Sequence, residues 1–157
     1  MPGLGASTSS TGRHGKGRNV RRRVRIIASI VGETFTGSVG GFSASSGNIT
    51  VGTDPTGTQL SCATGAAGAN EYGYKEYTCE PNVALDYSIE CTGNSLGNCK
   101  ILLGTSAGDN TYTSVTIGTT GTSTGTFTPT GSSYFLSFQV TAGRRTWKFD
   151  NISITEA

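Results

Sequence analysis

The densest concentration of chemically active groups in this sequence lies near its start: Arg13, Lys16, Arg18, Arg21, Arg22, Arg23 and Arg25. No acid accompanies them within residues 1–32. The remainder carries five basic and ten acidic residues, a net charge of −5, although the whole chain is +2. A cationic leader on a mildly acidic body suits an acidic partner. The arginine fork holds carboxylates through paired hydrogen bonds. Val24, Ile26, Ile27 and Ile30 adjoin the charges, and a purely solubilising tail would not need them. Anchoring to a neighbouring protein is therefore expected ahead of contact with nucleic acid, which would be salt-dependent. No aromatic residue is interleaved with the basic ones, which disfavours stacking on single strands.

Catalytic groups are sparse. His14 is the only histidine and belongs to the basic leader. No base stands near a serine in a pattern that would activate it. The carboxylates are dispersed, and no glycine-rich phosphate loop joins a strand to a helix. A non-enzymatic protein is expected. Tyr72 and Tyr74 lie beside a Gly/Ala-rich loop and are the candidate ligand contacts, because a surface aromatic can stack on a sugar or fill a subunit pocket. Trp147 and Phe149 share one face at a spacing of two residues, and are expected in the core.

Cys62, Cys79, Cys91 and Cys99 include no C-x-x-C pair, so zinc is not expected. Each successive pair brackets a turn-rich segment. Two hairpins are expected, Cys62 with Cys79 and Cys91 with Cys99. Either pair could form a disulfide or stay as buried thiols.

These residues need a framework, and the composition supplies one. Glycine contributes 24 residues and charged groups only 14%. Threonine and branched aliphatics favour strands and glycine favours tight turns. Residues 1–19 are nearly devoid of apolar side chains and should stay disordered without a partner. Residues 20–31 could dock as a strand. Strands are then expected at 48–53, 58–64, 72–79, 83–91, 100–103, 111–117, 124–128, 134–141 and 146–154. Asp54-Pro55-Thr56-Gly57 is a turn sequence. The expected class is all-β, an antiparallel two-sheet sandwich with an extended basic arm at 1–31 and the domain at 32–157. No segment is apolar enough to cross a bilayer. The apolar run Ile26–Val31 is too short for a secretory signal, so no membrane partner is expected.

The second half resembles a family. Leu103-Gly104-Thr105-Ser106-Ala107-Gly108, then Gly125-Thr126-Phe127-Thr128-Pro129-Thr130-Gly131-Ser132-Ser133-Tyr134-Phe135-Leu136, then Trp147-Lys148-Phe149-Asp150-Asn151-Ile152-Ser153-Ile154 are similar, in order and spacing, to carbohydrate-binding-module-like jelly rolls of bacteriophage structural proteins. Glu33-Thr34-Phe35 stands where their opening motif lies. The resemblance implies a galactose-binding-like jelly roll and a place on the virion surface. It also implies a structural calcium held by Asp150 with Glu33 as a second ligand, against the simpler expectation of no cofactor. The expected function is head decoration, a cement protein docked on the major capsid protein or other virion subunits, with self-association as an added expectation. The alternatives are a glycan-binding adhesin of a fibre and a small capsid protein whose arm binds genome.

Overall fold

The computed structural model describes residues 31–33, 35, 37–95 and 97–157. The basic residues Arg13, Lys16, Arg18, Arg21, Arg22, Arg23 and Arg25, with the expected docking strand before Val31, lie outside the described residues. Every described element is a strand: β1 (Val31–Glu33), β2 (Ser43–Ala44), β3 (Ile49–Thr53), β4 (Leu60–Thr64), β5 (Glu71–Thr78), β6 (Leu85–Asn94), β7 (Cys99–Gly104), β8 (Thr113–Ile117), β9 (Gly121–Phe127), β10 (Ser133–Val140) and β11 (Thr146–Glu156).

They form two antiparallel sheets, a jelly-roll sandwich. One sheet runs β3-β4-β11-β6-β9, with β1 also paired to β11, and the other runs β2-β5-β10-β7-β8. We call them the β11 sheet and the β10 sheet after their central strands. The expected turn sits between β3 and β4. Asp54 closes it by accepting the Thr58 and Gln59 amides at 3.0 and 3.1 Å and the Thr56 hydroxyl at 2.7 Å.

Alternation decides which face each strand buries. Tyr134, Leu136, Phe138 and Val140 of β10 point inward, as do Leu85, Tyr87, Ile89 and Cys91 of β6. Phe138 from one sheet stacks on Phe149 from the other, with ring centroids 3.9 Å apart. Trp147 and Phe149 are fully buried, as expected.

The inward set on β11 changes phase, from Trp147 and Phe149 to Ile152 and Ile154. A bulge makes the change: register slips between Asp150 and Ser153 against β6, and Asn151 takes φ 47°. Asparagine tolerates this left-handed backbone better than most residues. The sequence signal was the two polar residues standing between two apolar pairs.

Candidate functional site

The outward positions of the β10 sheet carry the most distinctive surface chemistry. On β5 the inward residues are Gly73, Lys75 and Tyr77, so Tyr72, Tyr74 and Glu76 face out. Their neighbours on β10 are Gln139, Ser137 and Phe135 respectively. On β7 the outward neighbours are Lys100 and Leu102. The Tyr72 and Tyr74 rings lie 6.0 Å apart, and Tyr74 and Phe135 lie 6.3 Å apart. All three rings are half-buried. The result is a continuous aromatic strip with Gln139, Glu76 and Lys100 at its margins.

The loop after β7 makes a wall for this strip. It turns back across the sheet, and Gly108 donates its amide to Ser137 Oγ at 2.9 Å. Ser137 is thereby buried although it points outward. Gly108 has φ +77°, and a Cβ there would stand 2.6 Å from the Tyr72 ring. Only glycine allows both the backbone sign and the close approach. Asp109 fixes the loop by accepting the Thr105 amide and hydroxyl, both at 2.9 Å, the Asn110 amide at 2.7 Å and the Thr111 hydroxyl at 2.5 Å. These donors, the Thr111 hydroxyl foremost, hold its carboxyl well below the usual range.

The other margin is built by the residues after β2. The Ser45 amide donates to the Tyr72 carbonyl, the Tyr72 amide to Ser45 Oγ, and that hydroxyl to Glu71 at 2.6 Å. The hydroxyl lowers the Glu71 pKa, with help from Ser46 and Asn48. A groove with a flat aromatic floor and polar rims suits a ligand that has apolar faces and hydroxyl edges.

Two shallow concavities open instead on the β11 sheet. One, of about 380 Å³, is lined by Asp86, Tyr87, Ser88, Thr124, Thr126 and Thr155 among others. The second, of about 310 Å³, runs past Gln59, Thr92, Asn94 and Lys148. Their linings are mostly hydroxyls and small groups, and the one aromatic residue among them, Tyr87, is 4% exposed. Recognition chemistry therefore favours the aromatic strip over these two hollows.

The expected calcium pair is not brought together. Glu33 points into the sandwich, where its carboxylate takes the Lys75 ammonium and, at 3.4 Å, the Tyr77 hydroxyl. The Lys75 ammonium also lies 4.8 Å from the Tyr77 ring centroid. Asp150 pairs with Glu90 on the outer side of the β11 sheet and accepts the Asn151 amide at 2.8 Å. Among the described residues no group of three or more His, Cys, Asp or Glu is placed to hold a metal. A carboxylate already neutralised by an ammonium is a poor ligand for a hard cation.

The two expected cysteine hairpins do not form either. Cys62 is on β4 and Cys79 follows β5, and these strands belong to opposite sheets, as do β6 with Cys91 and β7 with Cys99. All four are free thiols. Burial pushes the Cys62 thiol up to about 12. Burial first, then the neighbouring Cys62 and Cys91, raises the Cys99 thiol well above its usual value. Such thiols are unreactive packing groups at neutral pH.

Tyr72 and Tyr74 thus stand together on one outer face, while Phe135 completes the strip and was missed in the sequence. Its signal was available: it is an aromatic at an outward position of a strand whose other outward residues are polar.

The sequence matches no family model and no curated protein. Solved structures share the fold. A xylan-binding CBM22 domain from Paenibacillus barcinonensis Xyn10C aligns over 82% of this chain and 97% of its own, with TM-score 0.60 and 16% identity. The N-terminal cellulose-binding domain of Cellulomonas fimi β-1,4-glucanase C aligns over 83% and 98%, with TM-score 0.56 and 20% identity. A tailspike protein of bacteriophage CBA120 aligns over 78% of this chain but 20% of its own length, with TM-score 0.57 and 13% identity. The fold is therefore that of carbohydrate-binding-module jelly rolls.

Proposed function

We propose that this chain is a non-catalytic glycan-binding module, and that an oligosaccharide lies along the outer face of the β10 sheet. The observation that carries the reading is the strip Tyr72–Tyr74–Phe135, half-exposed and walled by the Asp109 loop. Sugar rings would stack on the tyrosines, with Gln139, Glu76 and Lys100 bonding to hydroxyls. Likeness in fold to modules named for xylan and cellulose supports it. Glycan binding, the alternative in the sequence reading, thereby takes first place over head decoration. The basic residues Arg13 to Arg25 would dock the module on an acidic neighbour. The test is affinity electrophoresis and a glycan array. Retention by a soluble polysaccharide, lost in Tyr72→Ala and Tyr74→Ala variants of unchanged circular dichroism, is expected. No binding across the panel would overturn the reading.

A virion location is the second reading, favoured by the cationic leader on a body of charge −5. Cryo-electron microscopy of particles would test it, and a shell without density for this chain would reject it.

A further inference from the structure

The sandwich has an open side, closed by neither sheet. There β8 ends the β10 sheet and β9 ends the β11 sheet, and among the described residues β9 is bonded only to β6. Natural sheets blunt such edges with charges, prolines, bulges or covering segments. Strand β9 has no charge or proline, and no charged residue occurs anywhere between Asp109 and Arg144. Its register on β6 runs without a bulge from Leu85↔Phe127 to Cys91↔Gly121. Thr122, Thr124 and Thr126 are exposed along its outer side.

The edge also has a symmetry. Residues 120–126 read T-G-T-S-T-G-T in both directions. The edge strand on the opposite side, β3, reads I-T-V-G-T and has no such symmetry. A strand that pairs with an unrelated peptide has no need to be palindromic. One that pairs with itself about a two-fold axis meets its own sequence reversed.

From this we infer that β9 pairs antiparallel with β9 of a second copy, about a two-fold axis through Ser123. In that register Gly121 faces Gly125 of the second copy and Thr122 faces Thr124. The outer side becomes a row of threonine–threonine pairs, which are favourable across strands. The inner side meets only glycine and serine, so nothing bulky keeps the two sandwiches apart. No like charges meet across the axis. One sheet then runs through both copies, and the exposed edge disappears.

Such an edge interface is small, so a dimer dissociating at roughly 10 μM is expected. Sedimentation of the full chain across concentration tests it, with two double variants at the exposed positions. Thr122→Lys/Thr124→Lys sets lysine against lysine on both sides of the axis and should weaken the dimer by about tenfold or more. Thr122→Lys/Thr124→Glu sets opposite charges in the same places and should restore it. A wild-type chain that stays monomeric at about 100 μM, above the expected dissociation constant, overturns the inference. So does a dimer indifferent to the two lysines, which would mean that the copies associate through another surface. Equal weakening by both variants overturns the register and the inference with it.

Discussion

The two outer faces of this sandwich are made by the same alternation on the same scaffold, yet they do opposite things with it. The β10 sheet presents tyrosines and a phenylalanine, and then covers part of them with its own Gly108 loop. The β11 sheet presents threonine, serine and scattered acids and leaves them to water. The first face offers a flat aromatic surface, and the second offers hydroxyls and charges. Between them lies one shared core, so damage to the core should not distinguish the faces, whereas damage to either face should.

The largest effect should erase the comparison. Phe138→Ala removes half of the cross-sheet stack on Phe149 and should cost about 3–5 kcal/mol, read by urea unfolding, with both faces lost in one transition. The next should sharpen it. Gly108→Val forces a branched side chain into a left-handed backbone against the Tyr72 ring, and should cost about 2 kcal/mol. The same change at Gly52, on the outer side of the β11 sheet with open space around it, should stay within about 0.5 kcal/mol. Thermal melts of the two variants suffice, and equal losses would refute the contrast. Tyr74→Ala should weaken glycan affinity by about tenfold, while Thr124→Ala on the opposite sheet should leave it unchanged, by isothermal titration.

The smallest effect is with acid. Asp54 and Asp109 are both held ionised by hydroxyl and amide donors that the unfolded chain lacks, Asp54 down to about 2. Each is depressed when folded, so its support is complete above the ordinary carboxylate range. For Asp54 that support is withdrawn as pH falls from 3.8 towards 2. Melting temperature against pH should show a steeper acid limb in the wild type than in Asp109→Asn.

Much of the fold was legible because strand period and turn chemistry are local. The Asp54–Gly57 turn and the inward sets of β6 and β10 follow from neighbouring residues alone. Strand β2 has two residues and therefore no period to read. The start of β9 at Gly121 was hidden, because glycine is a poor strand former. The cysteine pairings failed for a different reason. Whether β4 and β5 share a sheet is decided by the whole topology, and proximity along the chain suggested a hairpin where the chain crosses between sheets. Likewise Glu33 read as a metal ligand because its partner, Lys75, is remote in sequence and meets it only across the sandwich. The outward position of Tyr72 and Tyr74 beside a small-residue loop was legible, but the loop that walls them in comes from residues 105–111.

The short ladder of β1 on β11, Val31↔Ile154 through Glu33↔Ile152, has a mechanical consequence. Traction arriving through the preceding segment would peel these rungs singly, Val31 first, as a zipper opens. The load then reaches Glu33, whose carboxylate is clasped by Lys75 on the facing sheet. Resistance to pulling would thus pass from the ladder to an ionic latch between the layers, whose partial burial shelters it from added salt.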